Sequence, residues 1–554
     1  MRDATAAVAA PEPAALDGAR SMCDVLLRTA AAHAARTALR TPDGAMELTY
    51  RECLERIARI AAGLRDLGVG HGQPLGLMLV NRPEFHLVDA AAMLIGATPF
   101  SVYNTFPAEQ VAYVLGNADA RVLITEARYL DVVRAADVVE TIVLIDGEAE
   151  GCLPLAALEA SEPIDLGVAA EAVTGEDVLT LIYTSGTTGP PKAVEITHAN
   201  MLAELRAVHA VMPLPGGGRQ VSFLPAAHIA DRWTSHYSAF MAYANTVTTV
   251  AEMQRVMDVV AEVKPTMFAA VPRVWEKTKA ALESGFDGDL AAAARADSHL
   301  AARVRARLGL DDAAWLITGA APTSLDVVEF FACLGLPLCE ALGMSETACL
   351  VATNTPAAMR FGSVGRAVDG AELRLDSDGE LLIRGPVVMR GYRGMPEATR
   401  EAIDPDGWLH TGDIGRIDDD GFLWIVDRKK ELIINAAGKN MSPTTIEAKL
   451  TSAGPLIGQA CVIGDRRPYN VALLVLDPVA SAELNPTDPT ALSRVADEVA
   501  AANARLARVE QIKRFRVLDG EWLPGGDELT PTMKLKRNEI AHKYAGEIEE
   551  LYSR

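Results

Sequence analysis

Apolar positions along the chain recur at two periods, and their alternation lays out most of the architecture. Leu54, Ile57, Ile60, Ala61, Leu64 and Leu67 are spaced by three and four, which places them on one helical face, and Gly68 stands where a left-handed cap would end the helix. Residues 74–80 predict a buried strand, 84–95 a helix, and 121–125 and 141–146 two further strands. Strands separated by helices predict parallel sheet in an α/β unit. The alternation resumes after residue 197 and runs to about residue 355; within it the Ala-rich stretch 291–302 keeps helical spacing and charges, so it predicts helix. Between Gly362 and Ile425 short alternating strands (371–375, 380–384) are broken by Asp378-Gly379, Arg393-Gly394 and Asp406-Gly407, the pattern of a small antiparallel β-unit. Beyond Asp427-Arg428-Lys429-Lys430, strands at 459–463 and 471–476 mix with a helix at 490–509 on a smaller scale. The predicted fold is α/β: a large N-terminal domain of several subdomains, with mixed α/β sheets and the small β-unit, followed by a small mobile α+β C-terminal domain. The expected divisions are 1–40 (mobile leader and first helix), 41–428 and 429–554.

Length and composition narrow this picture. At 554 residues the chain exceeds one ordinary core, and with 49% hydrophobic and 23% charged residues it is globular rather than disordered. A formal charge of −22 argues against a nucleic-acid backbone as partner, although local basic pockets remain compatible with it. Cys23, Cys53, Cys152, Cys333, Cys339, Cys349 and Cys461 are scattered without a C-x-x-C pair, which predicts reduced thiols and neither a disulfide framework nor a zinc site. Residues 1–15 lack the apolar core of a signal peptide, and no uncharged apolar run reaches the ~20 residues of a membrane span. The expectation is a cytoplasmic protein without a transmembrane segment; peripheral membrane contact and a homodimer are both compatible with it.

The most informative segment is Tyr183-Thr184-Ser185-Gly186-Thr187-Thr188-Gly189-Pro190-Pro191-Lys192-Ala193-Val194. Apolar runs flank a loop whose glycines free backbone N–H groups, whose hydroxyls add donors and whose lysine adds a positive charge, an inventory suited to a polyphosphate. It is not a P-loop. Two prolines separate Gly189 from Lys192, Ala193 occupies the place of the Mg²⁺-binding hydroxyl, and Pro191 keeps Pro190 out of helical geometry. The segment resembles the phosphate-binding signature of the adenylate-forming enzymes, the superfamily of acyl-CoA synthetases, peptide-synthetase adenylation domains and luciferases. The resemblance runs from about Leu48 to the C-terminus, and further motifs follow in the family's order.

Each motif carries an expected role. Gly343, Ser345 and Glu346 match a stretch in which the glutamate holds Mg²⁺; Leu342 replaces the aromatic residue that the family places near adenine. Glu346, with Thr184 of the phosphate loop, is the implied metal site, and a hard cation asks for only one or two such oxygens beside phosphate and water. Gly319-Ala320-Ala321 resembles the adenine loop. Asp413, in Trp408-Leu409-His410-Thr411-Gly412-Asp413, and Arg428 are implied to hold the ribose, and Lys430 to be the interdomain hinge. Lys534, in Thr530-Pro531-Thr532-Met533-Lys534, matches the lysine that enters the site during adenylation; Met533 stands where the family commonly has glycine. A compact cation suits charge developing on the α-phosphate. Lys536, Arg537 and Lys429 read as solvated. His228 borders the acyl entrance in the family, whereas His198 and His410 read as structural.

The implied activity is that of an AMP-forming fatty acid–CoA ligase. Residues 271–277, 438–443 and 463–478 are similar to the long-chain branch, and Phe223, Trp233, Tyr237, Phe240, Met241 and Tyr243 fit an acyl tunnel and a core equally. Catalysis would use Lys534, Glu346, Lys192 and His228, with ATP and Mg²⁺ bound through residues 184–189, Lys192 and the groups above, and CoA approaching near Gly438. The alternatives are a fatty acyl-AMP ligase that loads a carrier protein and a degenerate nucleotide- or acyl-binding protein.

Overall fold

The computed structural model describes residues 13–184, 190–214, 216–435, 440–482, 484, 489–523, 525–530 and 533–553. Its largest sheet has eight strands in the order Gly391–Tyr392, Lys192–Thr197, Val178–Thr184, Thr98–Ser101, Pro74–Met78, Val122–Thr125, Thr141–Leu144 and Cys152–Pro154. From Val178–Thr184 to Cys152–Pro154 the strands are parallel. Alternate residues of one strand feed two cores. Leu75 and Leu77 pack into one that includes the helix Pro83–Leu94, and Met78 packs into another that includes the helix Ala108–Ala118. With both faces covered, such strands read as continuous apolar runs. The helix Pro83–Leu94 is buried along its whole length, so its sequence has no polar face. The predicted helix over 54–67 spans Tyr50–Asp66. Thr49 Oγ1 accepts from Glu52 N (3.3 Å) while Glu52 accepts from Thr49 N (2.8 Å), and Gly68 takes φ +80° at its end.

At one edge the sheet departs from the parallel expectation. Val178–Thr184 and Lys192–Thr197 are antiparallel, and Gly391–Tyr392 adds antiparallel to the latter. Residues 185–191 are too few for a crossover, which takes about a dozen. A second, five-stranded sheet runs parallel through Met267–Ala270, Trp315–Thr318 and Leu338–Met344, then antiparallel through Cys349–Thr353 and Arg366–Ala367. A four-stranded sheet joins Arg219–Ser222, Thr246–Thr249, Thr37–Arg40 and Glu47–Thr49. The expected small β-unit is the antiparallel sheet Glu372–Leu375, Glu380–Arg384, Leu409–Ile417 and Leu423–Arg428. The Ala-rich helix divides into Leu290–Ala296 and Ser298–Leu308 because Asp297 turns extended and caps the second piece, accepting from His299 N at 2.8 Å.

A buried charge cluster braces the interior. Asp89, fully enclosed, accepts from Arg232 Nη1 at 2.7 Å and lies 2.9 Å from His236 Nε2, while His236 Nδ1 meets His86 Nδ1 at 2.9 Å. Arg232 opens an eleven-residue π-helix, Arg232–Ala242, a form that persists only where side chains hold it. Burial works to raise the Asp89 carboxyl, but Arg232 and His236 outweigh it and keep the group ionised.

The smaller C-terminal domain has its own cores around the sheet Ile457–Ile463, Asn470–Leu476 and Ile512–Val517 and the helices Pro443–Thr451 and Pro489–Ala504. One residue expected to be solvated, Arg537, is instead structural. Arg537 is mostly buried, with Nη1 2.6 Å from Glu447 and Nε 3.1 Å from Glu431, tying the last helices to the start of the domain. Lys429 is exposed, as expected, and pairs with Asp378 and, at 2.9 Å, with Glu380 of the small β-unit. Arg537 was misread because a basic run looks the same whether its acidic partners are near or absent. All seven cysteines are free, and among the described residues no helix is long and apolar enough to cross a membrane.

His198 joins the first helix, Met22–Ala32, to the helix it begins, His198–Val211: its Nδ1 accepts from Met22 N at 3.1 Å and it is 1% exposed. Burial pushes its pKa down to about 4, below the unfolded value of about 6.5. Between those two pH values the unfolded chain binds one proton that the native state refuses, so stability falls as pH drops through that window. His198→Asn, which keeps an acceptor, should flatten the dependence of unfolding free energy on pH between about 6.5 and 4 by roughly one proton, up to ~1.4 kcal/mol per pH unit. An unchanged slope in denaturant titrations would contradict a neutral His198.

Candidate active site

The antiparallel edge positions the residues expected to meet phosphate. Thr184 ends one strand opposite Lys192, which begins the next, and Thr184 Oγ1 donates to Lys192 O at 3.4 Å. Lys192 thus opens a strand and not a helix, as the two prolines require. Ser185, Gly186, Thr187, Thr188 and Gly189 lie outside the described residues, as does Gly438. The third strand brings in a residue that sequence reasoning missed. Tyr392 presents its ring face to Lys192 Nζ, 4.9 Å from the centroid, and donates its hydroxyl to Glu346 Oε1 at 3.0 Å. The signal available in the sequence was slight: one aromatic in the turn Arg390-Gly391-Tyr392-Arg393-Gly394.

Glu346 sits in the one-turn helix Ser345–Thr347, between Leu338–Met344 and Cys349–Thr353, and its carbonyl accepts from Met389 N at 2.8 Å. Ser345 is buried beside it. The adenine-side residues come from two adjacent strand ends. Gly319, Ala320 and Ala321 follow Trp315–Thr318, with Ala320 at φ +67°, and Leu342 and Gly343 lie on the neighbouring strand. Strand and loop approach closely: a Cβ on Gly319 would lie 3.0 Å from Ala341 O, and one on Gly343 only 2.1 Å from Cys349 O. Beside them is a cavity of about 80 Å³, with His228, Trp233, Gly319, Ala341 and Leu350 in its wall. Of the six tunnel candidates Trp233 alone lines this cavity; the other five are core. Trp233 is held by the buried Glu204, which takes its indole N–H and the Leu350 N–H (3.1 Å).

The remaining predicted residues converge from the small β-unit and the C-terminal domain. Asp413 and Arg428 face each other across their strands, joined Oδ1 to Nε at 2.7 Å. Lys534 is carried on a hairpin closed by Thr530 N to Lys534 O (2.8 Å) and Lys534 N to Thr530 Oγ1 (3.0 Å). Met533 adopts φ +66°, the left-handed region, which accounts for glycine's advantage there and shows that methionine accepts the same turn at a strain cost. Lys534 remains exposed to solvent although protein crowds it on most sides. The crowding lowers its pKa and nearby Arg428 adds to this, against the pull of Asp413, Glu346 and Glu431. Burial raises Asp413, with Arg428 and Lys534 opposing. Burial, and after it Lys534, pushes His228 down to about 4, so its imidazole is neutral at pH 7. His228 Nδ1 accepts from Ala230 N at 3.1 Å, which leaves the ring proton on Nε2 as a donor. Lys430 is exposed, and His410 Nδ1 lies 3.7 Å from Glu380, away from this cluster.

Comparison with known proteins gives the same outline. Residues 26–393 match the AMP-binding enzyme family and residues 430–554 the AMP-binding enzyme C-terminal domain. The chain is 47% identical over 427 residues to fadD11 of Mycobacterium tuberculosis, named as a fatty-acid–CoA ligase, across 69% of this chain and 75% of the relative. It is 34% identical over 560 residues to the long-chain-fatty-acid–CoA ligase FadD15 of Mycobacterium bovis, across 92% of both. Among solved structures, the A domain of a carboxylic acid reductase from Segniliparus rugosus, in complex with AMP and a co-purified carboxylic acid, superposes with a TM-score of 0.81 at 21% identity, covering 100% of this chain and 98% of that one. The o-succinylbenzoate CoA synthetase of Bacillus subtilis, in complex with ATP and magnesium ion, gives 0.73 at 24%, covering 93% and 98%. At these identities the likeness is one of fold.

The tight approach at Gly343 gives a direct check on the placement of this wall. Gly343→Ala forces Leu338–Met344 and Cys349–Thr353 apart at the strand ends. ATP affinity, measured by calorimetry, should fall at least tenfold while the C-terminal domain keeps its secondary structure. Wild-type affinity in this variant would remove Gly343 from the nucleotide wall.

Proposed function

Because the chain belongs to the AMP-binding, adenylate-forming enzyme family, in its fatty acid–CoA ligase branch, we propose that it activates a long-chain fatty acid with Mg·ATP and transfers the acyl group to CoA. The observation that carries this reading is the convergence of Lys534, from the C-terminal domain, with Asp413, Arg428, Glu346 and His228 of the large domain. Opposite charges gathered from two domains into one cleft suit a reaction that builds and moves negative charge.

In the first step a carboxylate oxygen of the acid attacks the α-phosphorus and pyrophosphate departs, leaving an acyl-adenylate. Lys534 neutralises charge growing on the α-phosphate oxygens, Lys192 meets the polyphosphate, and Glu346 supplies an oxygen to the magnesium that arrives with ATP. Asp413 and Arg428 hold the ribose. His228, neutral and with its proton on Nε2, orients the acid by donating a hydrogen bond at the cavity it lines. In the second step the CoA sulfur attacks the acyl carbonyl, the thiol proton is released and AMP leaves. No covalent enzyme intermediate is involved, so rate comes from positioning and charge. The division into 41–428 and 429–554, hinged at Lys430, lets the C-terminal domain turn between steps, withdrawing Lys534 and opening a path for the thiol near Gly438. Such an enzyme would work in the cytoplasm.

Two predictions follow from this geometry. Lys534→Ala should slow adenylation by roughly 10²-fold, the scale of losing one preorganised charge, while thiolysis of supplied acyl-adenylate survives. Assays of the separate half-reactions check this, and equal loss of both would overturn the assignment. The second concerns the contact between Arg273, at the start of the helix Pro272–Ser284, and Asp477 of the C-terminal domain, 2.9 Å apart. It helps to hold the domain in the orientation that seats Lys534. A partly exposed pair of this kind contributes about 0.2–1 kcal/mol. Arg273→Ala should therefore reduce adenylation only about two- to fivefold and leave thiolysis unchanged; a loss of both half-reactions would show a role outside domain orientation.

A further inference from the structure

We infer that Tyr392 is a positioning residue: its hydroxyl and its ring face hold Glu346 and Lys192 apart and keep both charges available to the phosphates and magnesium of ATP. This rests on the reading of Glu346 and Lys192 as nucleotide ligands. A carboxylate and an ammonium facing one site attract each other, and a direct ion pair would neutralise both and have to be broken before Mg·ATP could bind. Tyr392 stands on both sides of that collapse. Its O–H donates to Glu346 Oε1 at 3.0 Å, which fixes the carboxylate and, among the described residues, leaves its second oxygen available to a cation. Its ring holds Lys192 Nζ at 4.9 Å, an attraction that orients the ammonium without neutralising it.

The tyrosine is itself anchored from several directions. Its N–H donates to Thr399 Oγ1 at 2.9 Å, and it pairs in register with Val194, two residues beyond Lys192. Arg393 N donates to Ala193 O at 2.9 Å, and Met389 N to the carbonyl of Glu346 itself at 2.8 Å. Gly391 is required beside it, because a Cβ there would meet Thr399 at 2.9 Å. Residues 389–393 therefore stitch the Lys192 strand to the Glu346 turn, and the tyrosine side chain completes the same link at the level of the charges. Burial and, after it, the neighbouring Glu346 raise the phenol pKa, so the proton stays on the donor oxygen.

Three single variants of the full chain and one double variant test this. Tyr392→Phe keeps the ring and removes the hydroxyl, Tyr392→Leu removes both, and Glu346→Gln reports on the carboxylate alone. The measured quantity is the Kd of ATP by calorimetry, with magnesium and with chelator. Tyr392→Phe should weaken binding about 3- to 10-fold with magnesium and less than about twofold without it, the scale of one hydrogen bond to a charged group. Tyr392→Leu should weaken binding under both conditions, because Lys192 is then released. Tyr392→Phe combined with Glu346→Gln should bind no more weakly than Glu346→Gln alone, since both act through one carboxylate. If Glu346→Gln leaves the magnesium dependence intact, the reading of Glu346 fails and the inference with it. If Glu346→Gln changes that dependence while Tyr392→Phe does not, or if Tyr392→Phe loses affinity equally with and without magnesium, the inference alone is overturned.

Discussion

The antiparallel pairing of Val178–Thr184 with Lys192–Thr197 is the constraint on which the site depends. Parallel strands must be joined by long crossovers, so a sheet of parallel strands alone would carry its loops away from their neighbours. Here a short connection turns back at once and leaves Thr184 opposite Lys192. It also leaves an open strand edge, to which Gly391–Tyr392 adds from nearly two hundred residues further along the chain. That addition brings the turn bearing Glu346 within reach through Met389 and Tyr392. One sheet edge thus brings Lys192 and Glu346 to the two sides of Tyr392.

Electrostatics then distinguishes the groups that hold the fold from those left for chemistry. Asp89 with Arg232 and His236, and Arg537 with Glu447 and Glu431, are enclosed and matched, and loss of one partner would strand a buried charge. In the cleft the arrangement is incomplete by comparison. Lys534 faces Asp413 and Glu346 but is also crowded by Arg428, and burial lowers its pKa as it raises that of Asp413. Charges held near partners without being fully matched are the ones a charged ligand can engage. A protein of net charge −22 can therefore keep a local pocket for a polyanion.

The two domains are joined by contacts of modest strength. Arg273 with Asp477, and the hairpin that inserts Lys534, place the C-terminal domain over the cleft, while that domain packs around cores of its own. A domain with its own core can change orientation without unfolding, and the partly exposed pair at the contact adds little resistance.

Much of this was legible in the sequence, because local spacing records local structure. The period of Leu54 to Leu67 announced its helix, the alternation between 362 and 425 its β-unit, and the prolines before Lys192 ruled out a helix there. The motif order also singled out Asp413, Arg428, Glu346 and Lys534, and the fold brings these together from both domains. What spacing could not record is which distant surfaces meet. Arg537 looked solvated because its partners lie at Glu431 and Glu447, a matter of packing and not of pattern. Five of six aromatic and aliphatic tunnel candidates proved to be core for the same reason: a buried side chain reads alike whether it faces a cavity or a neighbour. Tyr392 is the sharpest case. Alone in a glycine- and arginine-rich turn it carries no motif, and only the pairing of its strand beside Lys192 gives its ring one charge and its hydroxyl the other. Sequence by itself determined which elements form and which residues are candidates for chemistry, since both follow from neighbours along the chain; tertiary structure alone decided which charges are matched and which stay open, since that depends on contacts between residues far apart in it.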